Sequence, residues 1–344
     1  PEAIRIINLP EALSKEPIHR YGLNAFALYN LPIPVFGKVV GILGVNGIGK
    51  STAIKVLAGI LKPNLGNIGQ DAEIEDIIEY FKGTEAQLFF EKVRKGEIKT
   101  AYKPQHVDMI PKQFSGKVKE LLEKVNETDR LDEISEQFEL NKILDRNISN
   151  ISGGELQRVA IAATFLKKAN VYIFDEITSY LDIKQRLKIS QAIRNLANKD
   201  TAVIVIEHDL IALDYMADMV HIMYGANGAY GVVSQLRPTK NGINSFLEGY
   251  LKEENVRFRN HKIQFDIRSL KQAFETTQLT KWPELTKKLG NFDLTAKEGE
   301  LNTYEKVGVL GENGIGKRSF VKILAGAIEP DTGKLDLKVK VSYK

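Results

Sequence analysis

A glycine-rich stretch that ends in a lysine and a serine, GVNGIGKS at 44–51, is the strongest chemical signal in the sequence. It matches the pattern G-x-x-x-x-G-K-[ST] in full and lies between an apolar segment, VVGIL, and an amphipathic one, TAIKVLAGIL. Glycines let backbone N–H groups converge on phosphate oxygens, and the N-terminus of the following helix adds positive potential. Lys50 is expected to reach the β- and γ-phosphates, and the Ser51 hydroxyl to ligate Mg²⁺. The predicted nucleotide-binding residues are Asn46, Gly47, Gly49, Lys50, Ser51 and Thr52.

The same stretch occurs a second time, as GENGIGKR at 311–318. Aligning 41–66 with 308–333 gives 14 identities in 26 positions, which indicates an internal duplication of a whole domain. Arg318 stands where the first copy has Ser51, and a guanidinium has no lone pair for a cation and repels it. We expect the second site to bind nucleotide with weakened Mg²⁺ dependence or hardly at all. The alternative is that Arg318 is an altered residue in this sequence. The nucleotide-binding residues predicted for this copy are Asn313, Gly314, Gly316, Lys317 and Ser319.

The first copy carries about 26 residues that the second lacks, because the match resumes only at TAYK (100–103) and VSYK (341–344). Two short helical patterns on either side of Gly83 predict a helix–loop–helix insertion within 71–100. The alternative is that these residues only add packing to the domain and have no function of their own. The predicted organisation is a first domain at 1–236, a hinge at 237–262 and the N-terminal part of a second domain at 263–344.

Two acidic residues follow an apolar run, VYIFDE at 171–176, downstream of the first glycine loop. A strand that is apolar throughout suits the centre of a parallel sheet, and Asp175 and Glu176 lie at its C-terminal end, where such sheets place ligands. About 20 residues earlier, SGGELQ begins with Ser152 and has Glu155 three residues later, a capping box at a helix N-terminus.

These motifs, in this order, resemble those of ATP-binding-cassette (ABC) ATPases. The resemblance implies an α/β fold, a P-loop NTPase domain of the ABC type. It implies that Asp175 supports Mg²⁺ and that Glu176 polarises the attacking water as general base. Gln105 in YKPQH resembles the Q-loop glutamine that senses Mg²⁺ and that water, which implies that Gln105 is a Mg²⁺ ligand together with Ser51 and Asp175. His208 in EHD resembles the switch histidine at the γ-phosphate. SYLD, which ends at Asp182, matches the D-loop.

The resemblance also implies that two cassettes pair head to tail, so that each ATP lies between the phosphate loop of one and the signature of the other. The signature residues, acting on the nucleotide held at Lys317, are then Ser152, Gly153, Gly154 and Glu155. One departure is Ile177, where the family usually has proline.

Aromatic residues upstream of each glycine loop are candidates for stacking on adenine. Tyr21 and Phe26 precede the first loop, and Trp282 and Phe292 precede the second at a similar distance. Packing in a core is the alternative for each of them.

Longer segments narrow the resemblance to one subfamily. HRYGLNAF, GGELQRVAIAA, SYLDIKQRL, EHDLIALDYMAD, NGINSFLEGYL and ENVRFR closely resemble the RNase L inhibitor family (ABC subfamily E), over essentially the entire chain. This resemblance implies a twin-cassette ATPase that uses ATP, ADP and Mg²⁺ to split ribosomes, with the small ribosomal subunit, rRNA and release-factor machinery as partners. An ABC transporter subunit is the alternative, and a chain that binds nucleotide without efficient turnover is a third possibility.

We expect a soluble, cytoplasmic protein that contacts neither membrane nor DNA. Of the 344 residues, 43% are hydrophobic and 27% charged, the longest apolar runs are far too short to cross a bilayer, and PEAIRIINLP lacks the features of a signal peptide. With no cysteine, the chain lacks the family's ferredoxin-like domain with its two [4Fe–4S] clusters; PEAIRIINLP resembles the residues just after it.

Two basic clusters are candidates for contact with rRNA phosphates, with a solvated surface as the alternative. One lies in the insertion and the other in the predicted hinge: Lys92, Arg94, Lys95 and Lys99, and Arg237, Lys240, Lys252, Arg257, Arg259 and Lys262.

The interpretation of Arg318 predicts the effect of one substitution. Arg318→Thr should restore a hydroxyl ligand and strengthen Mg·ATP binding by the second site. Affinity for Mg·ATP, measured with and without this substitution, is the test, and equal affinities would refute the prediction.

Overall fold

The computed structural model describes residues 16–264, 277–290, 292–335 and 342. The N-terminal segment PEAIRIINLP and most of the repeated VSYK lie outside the described residues. Two compact units are present. The first contains the described residues up to Leu181 together with Gln185–Gln264, and the second contains Asp182–Lys184 and the described residues from 277 onward.

A nine-stranded sheet forms the frame of the first unit. Its strand order is β1-β2-β8-β7-β3-β6-β5-β4, with β9 paired to β7. The pairs β3–β7, β3–β6, β6–β5 and β5–β4 are all parallel. The strands are β1 (His19–Arg20), β2 (Ala27–Tyr29), β3 (Val39–Gly44), β4 (Thr100–Lys103), β5 (Val171–Asp175), β6 (Ala202–Ile206), β7 (Met219–Ala226), β8 (Tyr230–Val233) and β9 (Arg237–Pro238).

Strands β3, β5 and β6 are buried at every residue, which confirms the central parallel strand predicted from VYIFDE. Apolar side chains alternate between two hydrophobic clusters, one on each face of the sheet. Because these strands run in the same direction, the ends of β3 and β5 reach the same edge of the sheet, with the end of β6 between them.

Helices cover both faces. Lys50–Leu57 (α1) and the insertion contribute to one cluster, and Gly153–Phe165 (α7) contributes to the other. The remaining helices of this part of the chain are α2 (Ile74–Tyr80), α3 (Glu85–Arg94), α4 (Ile110–Gln113), α5 (Val118–Lys124), α6 (Leu131–Gln137), α8 (Ile183–Leu196), α9 (Leu210–Met216) and α10 (Thr239–Glu248).

The predicted insertion is a helix–loop–helix, formed by α2 and α3. Leu88 is 62% exposed, whereas Phe89 and Phe90 are buried. The ring of Phe90 stacks on that of Phe81 at 5.4 Å between centroids, and this aromatic contact sets the face of α3 that turns inward.

The residues predicted as a hinge pack on the first unit, which extends to Gln264. Helix α10 lies against β7, so closely that a Cβ on Gly242 would be 2.0 Å from Val220 Cγ2. A short hairpin of β10 (Tyr250–Leu251) and β11 (Val256–Arg257) places Leu251 and Val256 in the core. Apolar residues within the span therefore hold it against the first unit.

The second unit contains two antiparallel pairs and one helix among its described residues. The pairs are β12 (Gln278–Trp282) with β15 (Gly299–Asn302), and β13 (Leu285–Leu289) with β14 (Phe292–Ala296); the helix is α11 (Lys317–Leu324).

KVGVL (306–310), which is the counterpart of VVGIL in the repeat, forms no strand, and Leu310 is 86% exposed. Its counterpart β3 lies between β6 and β7 in the first unit, and the described part of the second unit has no such neighbours.

A buried histidine on β7 makes the stability of the first unit depend on pH. His221 Nδ1 lies 2.7 Å from the carbonyl oxygen of Ser234, and Nε2 accepts the N–H of Ile33 at 3.1 Å, so the neutral ring satisfies both partners. Burial lowers the pKa of His221 to about 4, and the charge of Arg237 acts in the same direction.

The unfolded chain binds this proton below the ordinary pKa of 6.5, whereas the folded chain does not until about pH 4. Stability should therefore be lost as the pH falls below 6.5, by about 2 kcal/mol between pH 7 and pH 5. His221→Gln, which does not titrate, should remove that difference in urea unfolding, whereas the exposed His261→Gln should retain it. Equal pH dependence in wild type and His221→Gln would contradict the assignment.

Candidate active site

The first glycine loop has the backbone that its sequence predicts. Gly47 and Gly49 have φ angles of +75° and +94°, and Gly49 caps α1. The Lys50 amine turns back into the loop and donates to the carbonyl oxygens of Gly44 and Val45, both at 2.9 Å. Burial lowers the pKa of Lys50 to about 8, against the opposing effect of Glu176 and Asp175. The side chain is thus placed where phosphate oxygens would replace carbonyl oxygens as its acceptors.

Two oxygen ligands suited to Mg²⁺ lie at the sheet edge. Ser51 Oγ is 3.5 Å from Asp175 Oδ2, and the Tyr102 hydroxyl lies 3.4 Å from the same carboxylate oxygen. Asp175 is 2% exposed, and burial and the neighbouring Glu176 raise its pKa. No cluster of three or more histidine or acidic residues suited to a metal occurs in the described part of the chain. This pair fits Mg²⁺ that takes its other ligands from phosphates and water.

Glu176 has φ +50°, and two of the predicted catalytic residues converge on its carboxylate. Gln105 Nε2 donates to Glu176 Oε1 at 2.8 Å, and His208 Nε2 lies 3.4 Å from the same oxygen. Gln105, also predicted as a metal ligand, has its amide nitrogen on Glu176 in this structure. Gln105 and His208, which are more than 100 positions apart in sequence, thus both contact the partly exposed carboxylate of Glu176.

Two buried side chains that the sequence analysis did not assign hold the backbone of Glu176. Lys103 Nζ donates to the carbonyl oxygens of Asp175 and Glu176 at 2.9 and 2.8 Å, and Gln157 Nε2 donates to those of Glu176 and Ile177 at 2.8 and 2.9 Å. Burial lowers the pKa of Lys103 to about 8. The sequence contained a signal for both residues. Lys103 lies in the YK pair that both repeats share, and Gln157 is the last residue of the signature segment SGGELQ.

The signature forms the predicted capping box at the start of α7. Glu155 N–H donates to Ser152 Oγ at 3.3 Å, and Ser152 N–H donates to Glu155 Oε2 at 2.7 Å. Ser152 and Gly153 are exposed, and the Tyr180 ring lies 3.5 Å from the position of a Cβ on Gly153. Gly154, the second residue of α7, is half-buried. In its own unit, the start of the signature is therefore open to solvent.

The predicted D-loop ends at Asp182. Leu181 is buried in the first unit, and Asp182 is grouped with the second. Arg186 donates to the Leu181 carbonyl oxygen at 2.9 Å and pairs with Asp209 at 3.0 Å, which links the D-loop to the residue after His208.

The predicted adenine-stacking residues differ in exposure. The Tyr21 ring is 54% exposed, and its hydroxyl lies 3.3 Å from Thr52 Oγ1, beside the first loop. Phe26 packs directly on the loop, since a Cβ on Gly49 would lie 2.4 Å from Phe26 Cζ. In the second unit, Trp282 is buried and its indole donates to the Lys297 carbonyl oxygen at 3.0 Å, the arrangement of a core residue.

The second glycine loop repeats the local shape of the first. Gly316 has φ +94°, a Cβ there would lie 3.0 Å from the Phe292 ring, and the Lys317 amine donates to the carbonyl oxygens of Gly311 and Glu312. Arg318 is exposed at the start of α11. The other predicted residues of this loop are either exposed or half-buried: Asn313, Gly314 and Ser319.

Comparison with known proteins agrees with this geometry. The family model described as "ABC transporter" matches residues 35–179, which include the first glycine loop, the signature and the acidic pair. The chain is 44% identical over 351 residues to "Translation initiation factor RLI1" of Saccharomyces cerevisiae, an alignment that covers 100% of this chain and 58% of the yeast protein.

Two solved structures are also similar at 50% identity. The archaeal ribosome recycling factor aABCE1, in complex with the ribosomal stalk protein aP1, matches with a TM-score of 0.85 over 96% of this chain and 62% of its own. A model of ribosome-bound archaeal Pelota and ABCE1 matches with a TM-score of 0.91 over 99% of this chain and 57% of its own. The chain belongs to the RNase L inhibitor family of ABC proteins.

Membership in the RNase L inhibitor family makes the first unit an ABC ATPase domain of the P-loop NTPase fold. The chain spans little more than half the length of these RNase L inhibitor relatives. In the described residues, no helix combines the length and the apolar character needed to span a membrane.

The contact between Phe26 and Gly49 predicts that alanine is tolerated less well at Gly49 than at Gly59, a second glycine with positive φ. Gly59, at the end of α1, has φ +70° with open space around it, so Gly59→Ala should cost only the backbone strain, about 1 kcal/mol. Gly49→Ala adds the clash with Phe26 and should cost about 1–3 kcal/mol more. Urea unfolding of both variants measures the difference, and equal losses would show that Phe26 does not pack on the loop.

Proposed function

We propose that the first unit binds Mg·ATP and hydrolyses it, and that the protein uses this reaction to separate ribosomal subunits. The observation that carries the chemical part is the convergence of Gln105 and His208 on the Glu176 carboxylate, next to the phosphate loop in the sheet.

Each residue has a role that its position supports. Lys50 exchanges its contacts with Gly44 and Val45 for phosphate oxygens. Ser51 and Asp175 hold Mg²⁺, which neutralises phosphate charge when bound. Glu176 orients the attacking water and accepts its proton, while Gln105 and His208 fix the orientation of the carboxylate.

The exposed signature supports a site that two cassettes complete together. Ser152 and Gly153 present a helix N-terminus to the outside, where it is suited to the phosphates of a nucleotide on another cassette. In this proposal the cassettes pair within the full-length protein, ATP closes the pair, and loss of the γ-phosphate opens it. Arg318 makes the second loop the weaker Mg²⁺ site.

We propose a cytoplasmic role on ribosomes, with small-subunit rRNA and release-factor machinery as partners. The relatives found with a ribosomal stalk protein and with ribosome-bound Pelota support the ribosomal part. Within the basic clusters, two predicted RNA contacts are engaged elsewhere. Arg237 is 7% exposed and pairs with Glu253 and Glu254, and Arg259 donates to the carbonyl oxygens of Phe246 and Leu247. The remaining candidates for phosphate contacts are Arg94, Lys95, Lys99, Lys240, Lys252, Arg257 and Lys262, together with Lys92, whose amine lies over the Phe36 ring.

Glu176→Gln in the full-length protein tests both parts. The amide cannot accept the proton, so ATP hydrolysis should fall by about 100-fold or more while ATP remains bound. ATP-loaded Glu176→Gln protein should then cosediment with small ribosomal subunits through a sucrose gradient.

Lys50→Ala, which removes phosphate contacts, is the matched control and should abolish both ATP retention and cosedimentation. Unchanged turnover would remove Glu176 from its role. Retention of ATP together with sedimentation in the membrane fraction would favour the transporter alternative.

A further inference from the structure

The peptide segment that carries Glu176 is held by more contacts than the proposed catalytic residues supply. Lys103 and Gln157 bind the carbonyl oxygens of residues 175–177, and the N–H of Glu176 donates to the Ile206 carbonyl oxygen at 3.0 Å. These contacts leave the next two N–H groups, of Ile177 and Thr178, to be satisfied inside the core, because both residues are buried.

Glu207, directly after β6, satisfies both of them. Its Oε1 accepts the N–H of Ile177 and of Thr178, each at 2.8 Å. Its Oε2 accepts the Thr178 hydroxyl at 3.0 Å and the N–H of His208 at 3.1 Å. Glu207 is 3% exposed, so one buried carboxylate joins the segment after the general base to the backbone of the switch histidine.

We infer that Glu207 is a positioning residue, which fixes the relative placement of Glu176 and His208 for ATP hydrolysis. The inference rests on the proposed function, because it assigns Glu207 a part in the same reaction. The Glu207 carboxylate binds neither the Glu176 carboxylate nor the His208 imidazole. It binds backbone N–H groups of Ile177, Thr178 and His208, next to or at the residues that carry those side chains.

Acceptor oxygens on both sides of the acid group suit the hydrogen bonds at this position. Five groups donate to it, the fifth being the N–H of Asp209 at 3.5 Å from Oε2. A carboxylate accepts at both oxygens, whereas an amide would turn an NH₂ group toward the donors on one side. The buried Lys103 lies close enough to interact with this charge, which compensates part of the cost of burying it.

Ile177 gives this arrangement its sequence signal. Proline, which is usual at this place in ABC ATPases, has no N–H to donate. The isoleucine therefore supplies a hydrogen bond to Glu207 that a proline would lose. Ile177 in place of proline and Glu207 before His208 are therefore joined by one hydrogen bond.

The test compares Glu207→Met and Glu207→Gln with wild type in the full-length protein. Methionine has nearly the same length and no strong acceptor, and glutamine keeps one good acceptor oxygen. Misplacement of a catalytic group by about 1 Å costs up to about 100-fold in rate, so kcat should fall by about 30- to 100-fold in Glu207→Met and by less in Glu207→Gln. Affinity for a non-hydrolysable ATP analogue should stay within about twofold, because the phosphate loop is untouched.

Glu254→Gln is the matched control. Glu254 is a mostly buried acid of the same unit that pairs with Arg237 and accepts the Gln235 N–H, away from the sheet edge. Its substitution should lower stability without lowering kcat. A purely structural Glu207 would behave in the same way, and that result would overturn the inference.

Amide hydrogen exchange separates failure of the inference from failure of the proposed function. In Glu207→Met, exchange at Ile177, Thr178 and His208 should accelerate together, whether or not the protein hydrolyses ATP. If wild type does not hydrolyse ATP, the proposed function fails and this exchange result still decides whether Glu207 joins the two segments. Unchanged protection at His208, or unchanged kcat in an active protein, would overturn the inference.

Discussion

Parallel pairing of β3, β6 and β5 is the constraint on which the site depends. Each of these strands is buried on both faces, and each ends at the same edge of the sheet. The phosphate loop after β3, the acidic pair at the end of β5 and the switch histidine after β6 are therefore neighbours by necessity. A change of register between any two of these strands would displace one group relative to the others.

Burial of charge at this edge gives the site its electrostatic character. Two lysines and two acidic residues lie there at less than 10% exposure, namely Lys50, Lys103, Asp175 and Glu207. Burial lowers the pKa of both lysines to about 8 and raises that of Asp175, because low polarity disfavours every charged form. A bound triphosphate and its cation would add opposite charges beside Lys50 and Asp175, so the arrangement is better satisfied with ligand than without it. Lys103 and Glu207 instead satisfy backbone groups, which keeps their part of the edge ordered in the absence of nucleotide.

The two glycine loops separate local from nonlocal causes of structure. The loops share sequence and nearly the same glycine φ angles, +94° at both Gly49 and Gly316, and both lysines donate to carbonyl oxygens of their own loop. The strands before them differ, because VVGIL is paired on both sides whereas KVGVL has no partner strand among the described residues. A glycine loop needs only its own backbone freedom, but a buried strand needs neighbours.

The sequence by itself determined the phosphate loop, the capping box at Ser152, the insertion between α1 and β4 and the apolar strand before Asp175, because each depends on contacts within a few residues or on a strict periodicity. Its motifs also singled out Glu176, Gln105 and His208 as candidates, without the distances between them. Only the tertiary structure decided that Lys103, Gln157 and Glu207 meet on one peptide segment, that Arg237 is buried between two acids, that Trp282 is a core residue and that α10 packs on the first unit. Those facts depend on residues distant in sequence that the sheet brings together, and no local pattern encodes which buried polar groups will need a partner.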